Sequence, residues 1–295
     1  MKKHFSPLTW LDQDNFAAWL FLTPALVLLG VFLFWPILYL IYLSFTDGNL
    51  GSQGSRWVGI QNYLKLLTDN DFRQVIGNTL YFTIATVIPS VIIPLILAVL
   101  LNKSLPTRGL LRTAYFLPSV TSLVAVGLGF RWLFQTDGPV NSLLEFFGIN
   151  AIPWLSSEIW AMLVLILLSI WKQIGFNLVV FLAGLQTIPV SLYEAAELDG
   201  ANPWAKFWYV TLPGLKPTLI FVVVTTVIFT LRSFEQVYVI TGGGPVNSTN
   251  ILAFYVYQEA FARFQFGYAA TGATLLLLVT LFFVYLQLKT WSEED

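Results

Sequence analysis

The chain contains no cysteine, and its single histidine, His4, lies in the N-terminal tail. Disulfides and thiolate metal sites are therefore excluded, while the redox compartment is left open. With no paired carboxylates in the apolar stretches and no cluster of metal ligands, an integral membrane enzyme lacks its working groups. Charge is scarce as well. Asp, Glu, Lys and Arg make up 11% of the 295 residues, against about 25% in a soluble domain. Hydrophobic residues make up 57% and the mean hydropathy is +0.73. Such a chain cannot cover a water-facing surface, and it reads as an integral membrane protein. A formal charge of −1 offers no basic surface for nucleic acid. No glycine-rich loop is followed by Lys-Ser/Thr, so no Walker-type phosphate site is present. Intramembrane acids are too sparse for an autonomous ion-coupled carrier.

What the chain does have is long apolar runs. A spanning helix needs about 20 mostly apolar residues, and six segments qualify: 17–45, 77–101, 113–134, 159–183, 217–240 and 267–288. The first is too long for a signal-peptide core and shows no small-residue cleavage site, so it is expected to be retained. Pro24, Pro36, Pro89 and Pro94 fall inside spans, where neighbouring helices can satisfy the freed backbone groups and kinks are expected. The expected fold is all-α, with a cytoplasmic tail at 1–16, a six-helix membrane domain at 17–288 and a second tail at 289–295. Orientation follows from basic residues in the loops. With the N-terminus inside, Lys2, Lys3, Lys103, Arg108, Arg112, Lys206, Lys216 and Lys289 face the cytoplasm, while Arg56, Lys65, Arg73 and Arg263 face outward. Both termini are expected inside. The outer segment 59–79, which mixes Tyr63, Leu66 and Leu67 with Lys65, Asp69, Asp71 and Arg73, reads as an interfacial amphipathic helix.

The stretch 191–217, "SLYEAAELDGANPWAKFWYVTLPGLKP", breaks the apolar pattern. Ser191 and Glu194 have capping-box spacing after Pro189. Gly200 suits the left-handed residue that ends a helix. Asn202 and Pro203 then open a second helical turn. Read locally, this is a capped connector between two spans. Its spacing is more specific than that: Glu194-Ala195-Ala196, three residues, Gly200, nine residues, Val210, one residue, Leu212-Pro213. This pattern resembles the cytoplasmic signature of permease subunits of bacterial ABC importers, with Val210 where the family usually has Ile. "GIQNYLKLL", "NTLYFT", "AGLQTIP", "YEAAELDGA" and "TGGGPVNST" are similar to the carbohydrate branch, of the maltose and glycerol-phosphate type, although no outer loop has room for a large extra domain.

The resemblance implies a coupling helix around 192–199 that docks in a groove of a partner ATPase. Glu194, Ala195, Ala196, Asp199, Gly200, Leu212 and Pro213 are then the coupling residues. It also implies two ATP-binding subunits, which hold the ATP and magnesium, so that this chain has no cofactor of its own. A second related permease, an extracytoplasmic substrate-binding protein and a bacterial inner-membrane location complete the expectation.

Ionisable residues within spans cost at least a few kcal/mol and are functional candidates. Lys172 lies near the middle of the fourth span beside Trp171 and ahead of Asn177, and Arg232, Glu235, Gln236 and Tyr238 lie in the fifth. Aromatic, amide and charged groups together suit a sugar ring and its hydroxyls. The structural alternative pairs Arg232 with Glu235 and leaves Lys172 to a partner subunit. The glycine-rich outer loop 241–249 reads as too flexible to specify itself, contacting a binding protein, covering the substrate entrance or simply joining two spans.

Overall fold

The computed structural model describes residues 13–48, 55–102 and 115–292. Most of the expected N-terminal tail, the last three residues of the C-terminal one, the basic loop after Asn102 and the first two residues of the expected third span lie outside the described residues.

Helix α1 runs through Gln13–Leu29, a widened turn at Gly30–Phe34 and Trp35–Ser44. Pro36 has no N–H to offer the carbonyl one turn back, and the backbone ahead of it opens into a single wider turn, with the Trp35 N–H reaching Gly30. No side chain in the most apolar stretch of Trp19–Ser44 is buried within the chain. Only its second half packs, against α12 (Phe266–Ser292). There Gly267 is needed, because a Cβ would sit 2.0 Å from the Thr46 carbonyl.

Helix α2 (Gln61–Thr68) buries Leu66 but leaves Leu64 and Leu67 exposed. Asp69 ends it and caps α3 (Asn70–Leu101) through the Asp71 N–H at 2.9 Å. The expected outer helix 59–79 is thus two helices, and the second span begins seven residues before 77. The chain continues through α4 (115–120), α5 (Leu123–Leu133), α6 (Pro139–Phe146) and α7 (Glu158–Thr187). Then come α8 (Val190–Leu198), α9 (Pro203–Gly214), α10 (Lys216–Leu231) and α11 (Leu252–Tyr257) before α12.

The centre of the bundle is the packing of α3 on α7, with α10 laid across both. Phe82, Leu165 and Leu168 fill one core cluster; Val91, Ala98, Phe181 and Leu182 fill another nearer the Gly200 end. Asn177 ties the three helices, donating to the Ser90 carbonyl at 2.6 Å and to Thr226 Oγ1 at 3.1 Å. Both hydrogens of this buried amide are engaged, while its Oδ1 has no partner among the described residues.

Among the described residues, four helices are long and apolar enough to cross a membrane, or five if α9 and α10, bent by 69° at Leu215, count as one. The expected third and fifth spans are not continuous. The third is interrupted at Thr121–Ser122, between α4 and α5. The fifth ends at Leu231 and resumes as a helical turn over 235–241. Hydroxyls at both places bond to local carbonyls: Ser119 to Phe116, Thr121 to Pro118 and Ser233 to Phe229. That competition with the helical ladder favours interruption.

Candidate functional site: a cavity between two helix breaks and a projecting loop

The two interruptions meet halfway along the bundle, around a cavity of about 390 Å³. Its walls are Leu123 at the start of α5, Lys172 on α7, Ile228 and Phe229 at the end of α10, and 232–236 of the second break. Irregular backbone at membrane depth is tolerated where it is buried in protein or lines a cavity. Four of the seven candidate substrate residues therefore come together: Lys172, Arg232, Glu235 and Gln236. Phe229 and Phe234 supply apolar faces, and Gln236 is buried with its amide donating to Ser169 Oγ at 3.2 Å.

The other three candidates lie elsewhere. Trp171 sits against Phe130, ring centroids 5.9 Å apart. Asn177 is engaged in the helix-binding node described above. Tyr238 stacks on Phe234 at 5.6 Å and meets Tyr257 edge-on at 5.5 Å. The alternative Arg232–Glu235 pairing is absent among the described residues, and Lys172 finds its partners within the chain. Its ammonium donates to the carbonyls of Pro118 (3.0 Å), Ser119 (3.4 Å) and Thr121.

At the Gly200 end, α8 and α9 form a projecting loop. No residue of α8 is buried, and Leu198 is 91% exposed. Gly200 adopts φ +78°. Its N–H bonds to Glu197 at 3.0 Å and that of Ala201 to Ala196 at 2.9 Å, the paired bonds of a glycine-terminated helix end. Asn202 caps the next helix through the Ala205 N–H at 2.8 Å. Lys206 pairs with Glu197 across the turn, and Tyr193 bonds Thr211 at 3.0 Å, so the two helices are held together. Glu194, Ala195, Asp199 and Pro213 are exposed, while Ala196 and Leu212 are half-buried. The Ser191–Glu194 capping box does not form. Pro189 already occupies the cap, the helix begins at Val190, and Ser191 falls inside the first turn.

At the opposite end, the glycine-rich loop is fixed. Asn78 on α3 donates to the carbonyls of Asn247 (2.7 Å) and Asn250 (3.0 Å), Gln74 to that of Val246 (3.1 Å), and Thr249 to Gly244 (2.7 Å). Gly242 and Gly243 take positive φ, as do Val246 and Asn247. The glycines allow a tight path that the amides of α3 then lock. Beside it, Asp69 accepts from Tyr268 at 2.8 Å and Tyr255 at 3.3 Å. Burial works against its charge, but those hydroxyls and the N–H groups of Asp71 and Phe72 outweigh it, holding the carboxyl below its usual range.

A helical membrane domain with a projecting helix pair at one end and a polar cavity at the junction of two interrupted spans describes a transport component. The chain belongs to the family described as binding-protein-dependent transport system inner membrane component, which matches residues 80–289. It is 40% identical over 283 residues, 94% of each chain, to the lactose transport system permease protein LacF of Rhizobium radiobacter. It is 36% identical to the sulfoquinovosyl glycerol transport system permease protein SmoG of Agrobacterium fabrum, covering 97% of this chain and 94% of that one. The arabinooligosaccharides transport system permease protein AraP of Bacillus subtilis is also 36% identical, over 92% of this chain and 88% of its own. In fold, the chain matches a chain of the bacterial alginate ABC transporter crystallised with an alginate pentasaccharide-bound periplasmic protein, with a TM-score of 0.82, 23% identity and 96% of each chain covered. The resemblance to carbohydrate ABC permeases read from the motifs is met by these relatives.

Proposed function

We propose that this chain is a transmembrane permease subunit of an ATP-driven importer that moves a sugar, an oligosaccharide or a polyol glycoside into the cell by alternating access. The observation that carries the proposal is the projecting loop. A membrane protein that leaves Leu198, Trp204 and Tyr209 mostly exposed on one short helix pair, and fixes that pair by caps and an ion pair, presents a built docking surface. Two ATP-binding subunits, carrying ATP and magnesium, are its partners there. A second related permease and an extracytoplasmic binding protein complete the complex. On this reading the interrupted third span counts as one crossing and α10 with the turn over 235–241 as another, which makes six, with α8 and α9 outside the membrane. Both termini and Gly200 then face the cytoplasm, and Val246 faces outward.

The cavity favours a neutral substrate over glycerol phosphate, the alternative for this architecture. Lys172 is engaged by carbonyls, which leaves one cation, Arg232, and one anion, Glu235, in the lining. That balance does not suit a dianion, whereas Gln236, Ser233 and two phenylalanines suit hydroxyls and a ring face. The relatives named for lactose and arabinooligosaccharides support the same class, whereas the one named for sulfoquinovosyl glycerol does not. The test is to purify the tagged chain from its native membrane in mild detergent and identify what stays bound. An ATPase subunit and a second permease are expected, with ATP-dependent lactose uptake on reconstitution. A purified chain that transports without any ATPase overturns the proposal.

A further inference from the structure

Lys172 lies halfway along α7 and lines the cavity, yet its ammonium points at backbone. The three carbonyls it reaches, on Pro118, Ser119 and Thr121, close α4 at the break in the third span. Carbonyls at a helix end have no intrahelical partner, and at membrane depth no bulk water replaces one. Ser119 and Thr121 turn their hydroxyls to earlier carbonyls, Phe116 and Pro118. The ammonium, with three donors and no acceptor, gathers those that end the helix. Glu235 also lines the cavity, but no ion pair joins it to Lys172 among the described residues. The lysine takes the carbonyl cluster in preference to the carboxylate.

A second contact points the same way. Gly175, one turn further along α7, faces α4: a Cβ there would lie 2.0 Å from the Tyr115 carbonyl oxygen and 3.0 Å from the Phe116 Cα. One face of α7 thus supplies a glycine for the close approach and a cation for the carbonyl end.

We infer that Lys172 is a positioning residue: its ammonium acts as a tethered monovalent cation that pins the carbonyl end of the broken third span and so fixes one wall of the cavity, without contacting substrate. Carbonyl clusters at the ends of interrupted membrane helices are sites where transporters bind sodium ions. Here the site carries its cation covalently. The inference rests on the transport reading only for calling the cavity a substrate path.

The test uses the full-length chain in membrane vesicles and needs neither substrate nor ATPase. A single cysteine replaces Leu123, at the cavity edge beside the break, and its rate of reaction with N-ethylmaleimide is measured. A cysteine at Val246, in the distant loop, is the control. Lys172→Met is expected to raise the rate at position 123 by about tenfold, the scale of one lost charge-assisted hydrogen bond, with position 246 unchanged. Lys172→Arg, which keeps the cation, should return the rate to within about twofold of the parent. Gly175→Ala, which displaces α4 by a different cause, should raise it as Lys172→Met does. If Lys172→Met fails to accumulate, Lys172→Gln and Gly175→Ala are read in its place. An unchanged rate at position 123 in the accumulating variants overturns the inference. A chain that shows the expected pattern but imports no sugar removes the transport reading and leaves the role of Lys172 standing.

Discussion

Replacing Gly200 isolates backbone conformation from packing. A Cβ at this position meets nothing within 4 Å, so Val or Ala brings no clash. The cost comes from φ +78°, a left-handed conformation that costs an L-residue roughly 1–2 kcal/mol, with β-branched residues at the upper end. If the turn relaxes instead, the Gly200 and Ala201 N–H bonds to Glu197 and Ala196 are lost at about 1 kcal/mol each. Either route removes about 1–2 kcal/mol from the native turn, a factor of about 5–30 in its population. Asn tolerates the left-handed region and should be mild, Ala intermediate and Val the most severe. The assay is retention of the ATPase subunit on the tagged chain in detergent, read across Gly200→Asn, Ala and Val. Membrane abundance should stay constant, since the turn lies outside the spans. Equal retention across the series would refute the reasoning, because nothing but the turn distinguishes these variants.

Asn177→Leu should lower the thermal midpoint in detergent, since it removes the ties from α7 to Ser90 and Thr226, worth about 1–2 kcal/mol in a membrane interior; an unchanged midpoint counts against the three-helix node. Asp69 has a depressed folded-state pKa, so its stabilisation is present above the unfolded-state value and is lost as pH falls through the folded one. Asp69→Asn should accordingly flatten the acid limb of a stability–pH profile, and a limb of parental steepness would contradict that. Phe229→Ala should weaken sugar uptake about five- to tenfold through the loss of a ring face, whereas Trp171→Ala, whose ring packs on Phe130 outside the cavity, should change it less; the reverse order would relocate the site. In intact cells an impermeant thiol reagent should modify a cysteine at Val246, which is 75% exposed, and spare one at position 200; labelling at 200 would invert the topology.

The loop was legible because its signals are local. A proline, a left-handed glycine and an Asn-Pro pair each dictate backbone geometry from one or two residues, and Gly200, Asn202 and Pro203 behave as their types require. Ser191 misled because two candidate caps stood two residues apart and Pro189 closed the backbone first. The apolar runs located the membrane helices but hid both interruptions, since hydropathy averages over a broken helix as over an intact one. Ser119, Thr121 and Ser122 around one break, and Arg232 and Ser233 at the other, were the available hints. Lys172 stood out as costly, but its partners are backbone carbonyls from a segment some fifty positions earlier. Backbone carries no letter in a sequence, so sequence reasoning sought a side chain or another subunit. The glycine-rich loop does not specify its own path, and the amides that lock it, Gln74 and Asn78, sit about 170 residues away.

The 69° bend between Pro203–Gly214 and Lys216–Leu231 has a mechanical consequence. Twelve helical residues at 1.5 Å each make an arm of about 18 Å, standing off a shaft that ends beside the cavity. Ile188 presses on the elbow, its side chain 2.9 Å from where a Cβ on Gly214 would lie, so the fulcrum is tight while the far end is tied to α8 and otherwise exposed. Turning such a bell crank by about 10° swings its tip through roughly 3 Å, on those same helix dimensions. The leverage also runs backwards: a displacement of that size at the tip reaches the shaft as a small rotation, concentrated where the helix is already interrupted at Arg232.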